Sequence, residues 1–508
     1  MKTERTKNSI YNSFSSVAVN FSVTIFSFIV RTIFIKKLGE QFLGIDGLFT
    51  NILSLLSLAE LGFSTAISFS LYEPLAKNEN SKINKLMIYF KKAYKNIGII
   101  ILIIGLCLMP FLHFIVKDYT ISDNIYLIYI FYLFNTVSSY FTSYSAILIE
   151  ADQKNYKLTG FRLLFNFLTY GSQLIILIIF NSFIYYLLAQ LIIRQLERII
   201  VHHYIKKTYK EIDFNSSNKI DNFDKADIKK NIKGIIFHRV GDYAVNGTDN
   251  ILISSIINIS MTGIYSNYLS LISIIRNLIA SIISSTTSSF GNLNVLEESN
   301  TKKDVFDLIN FLCNFMTGLS VIGLFFCLNP FITFWIGEKY TLDILCVSAI
   351  CLNFYLNCVM LPITSVKNSV GLYYIDRYVP MAQAIINLAI SIILGIKIGI
   401  LGILLGTCIS SILTVNIVKP YIIYKYVFKS SCVDYFKKML KSIFLILISI
   451  IFSIRIFNFL IFDDVLIKFI FYGVISVTIY LLIFVILYFN NVEYKYFVNM
   501  MKSKSIRK

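Results

Sequence analysis

RTIFIKKLGEQFLGIDGLFTNILSLLSLAELGFSTAISFSLYEPLA, residues 31–76, holds the end of one apolar segment, a tight glycine-containing turn and a second apolar segment. Arg31 and Glu60 stand where a lipid-facing helix would carry neither. A charged group at membrane depth costs about 3 kcal/mol even on the lenient insertion scale, so such groups face a watery cavity or a partner and not lipid. The stretch therefore reads as the wall of a cavity inside a membrane protein.

The stretch recurs. Shifting the chain by about 219 positions sets Gly44-Ile45 on Gly263-Ile264, Phe49 on Tyr268 and Glu79 on Glu298. Pro110-Phe111 then falls on Pro330-Phe331, one position out of step. Identity between the halves is thin. Hydropathy, turn position and the Pro-Phe landmark carry the repeat.

Composition agrees with a membrane chain. Of 508 residues, 56% are hydrophobic and only 15% charged, with six prolines and a mean hydropathy of +0.69, which excludes a soluble globular domain. The net charge of +18 raises nucleic acid as a partner, but the lysines sit in short loops between apolar runs. That is a signal of membrane orientation and not of nucleic-acid binding. The eight cysteines lie mostly inside apolar segments without paired spacing and read as small hydrophobes. Lys2, Arg5 and Lys7 open the chain as in a signal peptide, yet the apolar run continues past Val30 without a small-residue cleavage site, so an uncleaved first helix is expected.

Apolar runs predict an all-α integral membrane protein of about fourteen transmembrane helices. They fall near 13–35, 43–70, 97–116, 124–149, 158–180 and 183–205, then 233–257, 262–290, 305–328, 341–366, 379–396 and 399–424, with a last pair at 439–460 and 465–489. The expected organisation is a six-helix lobe over 1–205, a cytoplasmic linker over 206–232, a second six-helix lobe over 233–424, an additional helix pair over 425–489 and a basic tail over 490–508. Two lobes with an even helix count enter the membrane in the same sense, so a pseudo-two-fold axis along the membrane normal relates them, with the substrate site where they meet. Lys36, Lys37, Lys117, Lys339, Lys397 and Lys468 fall in outer loops, while Arg31, Arg162, Arg239, Arg276 and Arg455 are singled out within segments. Most of the other basic residues fall in inner loops and tails, which places both termini in the cytoplasm.

Four helices carry a polar stripe, the first two of each half. Ser16, Asn20, Thr24, Ser27 and Arg31 mark the first, and Asn51, Ser54, Ser57, Glu60, Ser64 and Ser68 the second. His238, Asp242, Asn246 and Asp249 mark the seventh, with Arg239 and Asn250 alongside. Ser266, Ser270, Ser273, Asn277, Ser281, Ser284 and Ser288 mark the eighth, with Arg276 one position off. Small hydroxyl residues serve close helix packing equally well, but packing does not account for the charges, which favour a hydrated cavity. The substrate-lining candidates are Arg31, Arg276, Glu60, Asn20, Asn51 and Asn277. Neither Arg31 nor Arg276 has an acidic residue three or four positions away. Each is therefore open to an anion, which the guanidinium fork binds through paired hydrogen bonds, or to a structural ion pair with Glu60 or a carboxylate on another helix. The cation-coupling candidates are Asp249, Asp242, His238 and Arg239. Arg239 and His238 lie within pairing distance of Asp242 along a helix, so an internal ion pair competes with a coupling role there, and Asp249 is the clearer carrier of a proton or sodium ion.

No HExxH, Walker loop or GxSxG is present, and no cofactor or metal is expected. The rival classes are a cation-coupled drug exporter, a membrane polymerase or glycosyltransferase, and a membrane scaffold. An enzyme of that kind needs a large outer loop with catalytic residues, which the segment pattern does not leave room for.

With LG-x-x-x-LGI from Leu38, SLAELG from Ser57 and LYEPLA from Leu71, the chain resembles bacterial polysaccharide flippases of the Wzx kind, within the multidrug/oligosaccharidyl-lipid/polysaccharide exporter superfamily. The resemblance implies a flippase that moves an undecaprenyl-pyrophosphate-linked oligosaccharide from the inner to the outer leaflet of the bacterial cytoplasmic membrane. It implies alternating access between two lobes, coupling to an H+ or Na+ gradient or to the membrane potential, and a polysaccharide polymerase as partner. Related lipid II flippases have cavity arginines on their first and eighth helices, where Arg31 and Arg276 stand in this chain. A fuller arginine set is missing, which argues against lipid II itself as substrate.

Overall fold

The computed structural model describes residues 23–57, 70, 71, 74, 75, 77, 79–116, 123–152, 154, 156–212, 247–284, 299–370, 372, 375–460, 464–496 and 499. Among these the chain is helical, with turns and no strand. The first half contains α1 (residues 23–38), α2 (Glu40–Leu56), α3 (Asn80–Leu108), α4 (Ile125–Ala151), α5 (Tyr156–Ile179) and α6 (Phe183–Thr208). After it come α7 (residues 247–257), α8 (Ile259–Ser284), α9 (Ser299–Ile336), α10 (Ile344–Val359, resuming at Leu361–Val370), α11 (Val379–Ile398), α12 (Ile400–Leu413, continuing to Phe428), α13 (Val433–Phe457) and α14 (Val465–Tyr488). Ten of the described helices are long and apolar enough to cross a membrane.

Helix starts follow from the residues that open them. Asn124 caps α4, its side-chain oxygen accepting from the backbone N–H groups of Tyr126 and Leu127 at 3.0 and 3.3 Å, and Asp464 does the same for Leu466 and Ile467 of α14. Gly399, at φ +66°, makes the reversal between α11 and α12, a conformation open to few other residues.

Two helices are longer than hydropathy suggests. α3 begins at Asn80 and not near 97, because Ile83, Leu86, Met87, Phe90 and Tyr94 make a buried stripe at helical spacing. Lys82, Lys85, Lys91, Lys92 and Lys95 in the same turns hide that stripe from an averaged hydropathy reading. α9 runs straight through Pro330 to Ile336. Pro330, just past the expected end of the segment at 328, removes one backbone donor without ending the helix.

The chain divides into two compact units, residues 1–263 and 264–508. The expected linker over 206–232 lies largely outside the described residues. Gly247 of α7 packs against the Leu55 side chain of α2, and Ser254 Oγ donates to the Ile115 carbonyl at 2.7 Å. A Cβ on Gly44 would overlap the Ile259 carbonyl, and one on Gly263 would overlap the Glu40 carbonyl. Residues 247–263 are thus held to α2 and the end of the third segment.

Within the first unit, Gly98 and Gly105 of α3 let Tyr140 and Leu133 of α4 approach closely, and Tyr129 Oη donates to the Gly105 carbonyl at 3.0 Å. Phe49 of α2 packs edge-on against Tyr129 and Tyr132. Within the second unit, α11 and α12 are tied by Gln383 Nε2 donating to Ser411 Oγ at 2.9 Å, Asn387 Nδ2 to Thr407 Oγ1 at 2.8 Å and Ser391 Oγ to the Ile403 carbonyl at 3.1 Å. These buried groups tie the two helices to each other, in the manner of small and polar residues between membrane helices. α14 is not a loose appendage. Tyr480 Oη packs onto Gly318 of α9 and donates to the Phe315 carbonyl at 3.2 Å.

Candidate functional site

Two groups of charged residues stand out among the described residues of the first unit. At the α1–α2 end, Arg31 of α1 and Asp46 of α2 are coupled electrostatically, and Asp46 accepts a hydrogen bond from Tyr132 Oη of α4. Tyr186 of α6 lies within the same field and packs on Phe34 of α1 at 5.2 Å between ring centroids. The turn at Gly39 folds α2 back beside α1, which is how residues fifteen apart in sequence become neighbours. Arg31 therefore has a carboxylate on another helix, of the kind that spacing along one helix cannot reveal.

The second place lies at the centre of α6. Arg194 Nη1 pairs with Glu197 at 2.7 Å, and its Nη2 donates to Asn166 Oδ1 of α5 at 2.7 Å. Arg198 donates through Nη1 to Ser138 Oγ at 2.7 Å and through Nη2 to Asn135 Oδ1 at 3.0 Å, both on α4. Gln195 Nε2 shares the Ser138 hydroxyl at 2.6 Å, and one turn on, His202 Nδ1 meets Ser145 Oγ at 2.9 Å. Sequence reading passes over Arg194 and Arg198 because it counts them with the inner-loop cations, although both fall inside the sixth segment. The signal was available: Tyr186, Gln190, Arg194, Arg198 and His202 recur every fourth position, a polar ladder in a helix otherwise apolar enough to span.

The remaining candidates are placed as follows. Asn51 is half-buried and donates to the Gly47 carbonyl one turn back at 2.8 Å. Asp249 of α7 is buried, 4% exposed, beside Asn250 at 2%. Arg276 and Asn277 of α8 are exposed, as are Ser273, Ser281 and Ser284. These serines each donate to a carbonyl in the preceding turn, so they present an already satisfied polar strip. Leu278 and Ile282 are also exposed, on the neighbouring face. Asn20, Glu60, His238, Arg239 and Asp242 lie outside the described residues.

Among the described residues the second unit holds ion pairs that spacing did not single out, one of them between Lys303 of α9 and Asp434 of α13 at 3.4 Å. Lys367 at the end of α10 is paired with Asp376 in the turn before α11, the side chains 6% and 1% exposed. Lys438 of α13 bridges Asp307 of α9 at 2.9 Å and Glu493, just past α14, at 2.8 Å. Partial burial pushes the Glu493 carboxyl up, but the Lys438 ammonium outweighs it and holds the group below the usual range. Among the described residues no three His, Cys, Asp or Glu side chains converge as metal ligands would.

Comparison with known proteins decides the family. The model of the polysaccharide biosynthesis protein family matches residues 9–287, more than half of the chain. The chain belongs to that family. No curated protein sequence matches it. Among solved structures, the lipid II flippase MurJ in an inward closed conformation is similar at TM-score 0.67 with 16% identity, over 94% of this chain and 98% of that one. An inward-facing multidrug resistance MATE family transporter of the MOP superfamily is similar at TM-score 0.60 with 12% identity, over 77% and 92%. The Vibrio cholerae MATE transporter VcmN in its bent form gives 0.55 with 11% identity, over 84% and 98%. The fold is that of MOP-superfamily membrane transporters.

Proposed function

We propose that the protein flips a lipid-linked oligosaccharide, an undecaprenyl-pyrophosphate sugar unit, from the inner to the outer leaflet of the cytoplasmic membrane by alternating access, with both termini in the cytoplasm. The observation that carries the reading is the exposed polar strip of Ser273, Arg276, Asn277, Ser281 and Ser284 on a helix of membrane-spanning length in a polysaccharide-biosynthesis family member. Lipid does not accommodate such a face, whereas a hydrated path does. Sugar hydroxyls must cross in contact with water or polar side chains, since losing their hydrogen bonds in hydrocarbon costs several kcal/mol each. Arg276 suits a phosphate group, and the polyprenyl chain remains in lipid.

Outward movement of a pyrophosphate across an inside-negative membrane is favoured by about 2.3 kcal/mol per charge per 100 mV, so the potential can contribute to the drive. Buried Asp249 is the group suited to couple a proton or sodium ion. A polysaccharide polymerase working on the outer leaflet is the partner expected to consume the product.

The test is a deletion strain in which the leaflet holding lipid-linked oligosaccharide is determined. Accumulation on the cytoplasmic leaflet with surface polymer lost supports the flippase. Unchanged lipid-linked sugar with altered drug sensitivity would point to a drug exporter instead, and accumulation of single repeat units on the outer leaflet would point to an enzyme.

A further inference from the structure

Of the arginines described inside helices of the first unit, three are matched by a carboxylate. Arg31 faces Asp46, Arg162 pairs with Glu150 at 3.2 Å, and Arg194 pairs with Glu197 at 2.7 Å. Arg198 differs. Its hydrogen bonds go to Ser138 and Asn135, both neutral, and among the described residues the carboxylate beside it, Glu197, is bound to Arg194.

Arg198 is well inside its helix and close to a second cation. Arg198 lies fifteen residues from the start of α6 and ten from its end, about 22 and 15 Å at helical rise. Arg194 and Arg198 are one turn apart, where like charges repel, and among the described residues Glu197 alone leaves the group with one excess positive charge. A guanidinium has five N–H donors, and the neutral acceptors on α4 engage only two of those on Arg198 among the described residues. Ser138 and Asn135, three positions apart on α4, hold the fork by one N–H of each terminal nitrogen. Ser138 is itself fixed by donating to the Asn135 carbonyl at 3.1 Å and accepting from Gln195. Both arginines are only partly buried.

We propose that Arg198, together with Arg194, is an anion-receiving site within the first unit, built for a phosphate or diphosphate group. It rests on the flippase reading for its natural ligand, the lipid-linked diphosphate, and a carboxylate of an acidic sugar is the other source of the same charge. A dianion settles both arginines at once, and the planar fork offers it paired hydrogen bonds. His202 and Lys206 continue the face towards the end of α6 at the same four-residue step, giving an approaching anion a graded series of positive or polar contacts.

The test is binding to purified full-length protein in nanodiscs, with farnesyl diphosphate, inorganic pyrophosphate and glucuronate as probes. Arg198→Gln should weaken diphosphate binding by about tenfold or more. Arg198→Lys, which keeps the charge and loses the fork, should fall between, and Arg162→Gln should bind as wild type. Loss of both diphosphates assigns the site to the phosphate group, and loss of glucuronate alone assigns it to an acidic sugar. If folded Arg198→Lys and Arg198→Gln bind every probe as wild type does and only melt earlier, Arg198 is a structural tie and the proposal fails. That failure leaves the deletion-strain result untouched, so the two readings fall separately.

Discussion

Gly44 and Gly263 meet in a reciprocal crossing. The backbone of each lies against the main-chain carbonyl four residues before the other, Ile259 for Gly44 and Glu40 for Gly263. The two glycines are also the residues that the internal repeat sets on one another, so one repeat unit touches its own counterpart here with local two-fold character. Contact this close depends on the missing side chains, as in small-residue crossings of membrane helices. Gly44→Val or Gly263→Val should destabilise the protein by about 1–3 kcal/mol through overpacking and lower surface-polymer export. Gly160→Ala is the control, since nothing lies within 4 Å of that position, and helix propensity alone favours alanine there. Equal melting of Gly44→Val and wild type would remove the crossing as a tight contact.

Asp46 and Arg31 should behave as one unit. Removing either partner leaves the other charge in a poorly solvated place, which costs about 3–5 kcal/mol when the pair is fully buried; half-burial here puts the expectation at the lower end. In a double-mutant cycle of Arg31→Met and Asp46→Leu, the double variant should be less damaged than the sum of the singles by about 0.5–3 kcal/mol. Tyr132→Phe, which removes the donor to Asp46, should cost less than either. Additive single effects would show that the two residues do not share their charge, and Arg31 would return to the anion-binding candidates.

Much of the architecture was legible because it is written in local patterns. Apolar runs place the membrane helices, and the Gly44/Gly263 register marks a repeat whose two glycines do meet. What the residues could not show is which helix faces which. The sequence leaves Arg31 open to an anion or to a carboxylate on another helix, and Asp46 meets it across the Gly39 turn. Arg194 and Arg198 resembled inner-loop charges because hydropathy averages over a window, whereas their partners on α4 and α5 hold the charges inside the sixth segment. The lysine-rich start of α3 hid a buried apolar stripe for the same reason.

Lys367 and Asp376 clamp the turn between α10 and α11 with both side chains almost wholly buried. Lys367→Met should cost about 3–5 kcal/mol because it takes the ammonium away from a buried carboxylate. The double variant Lys367→Met/Asp376→Leu should recover most of that loss, since apolar replacements of a buried pair are often neutral. Melting in detergent micelles checks both. A double variant as unstable as Lys367→Met alone would mean that the turn needs the polar pair for its shape.

The bridge from Lys438 to Asp307 and Glu493 joins three parts of the second unit, α13, α9 and the segment after α14. Lys441 adds to it, donating to Asn491 at 3.2 Å and lying 4.2 Å from the Tyr488 ring centroid. Burial raises the Glu493 carboxyl, and the Lys438 ammonium more than reverses this, so its folded value lies below the unfolded one. A depressed carboxylate contributes stability that is fully present above its unfolded value, about 4.3, and is lost as pH falls through the lower folded value. The melting difference between wild type and Glu493→Gln should therefore be steady between pH 7 and 6. It should shrink on acidification below about pH 5, as Glu493 and its glutamine replacement become alike in charge. Added salt should reduce the neutral-pH difference only in part, because the pair is screened less than a fully exposed one. A difference that stays constant down to pH 3, or grows, would show that Glu493 draws no stability from Lys438.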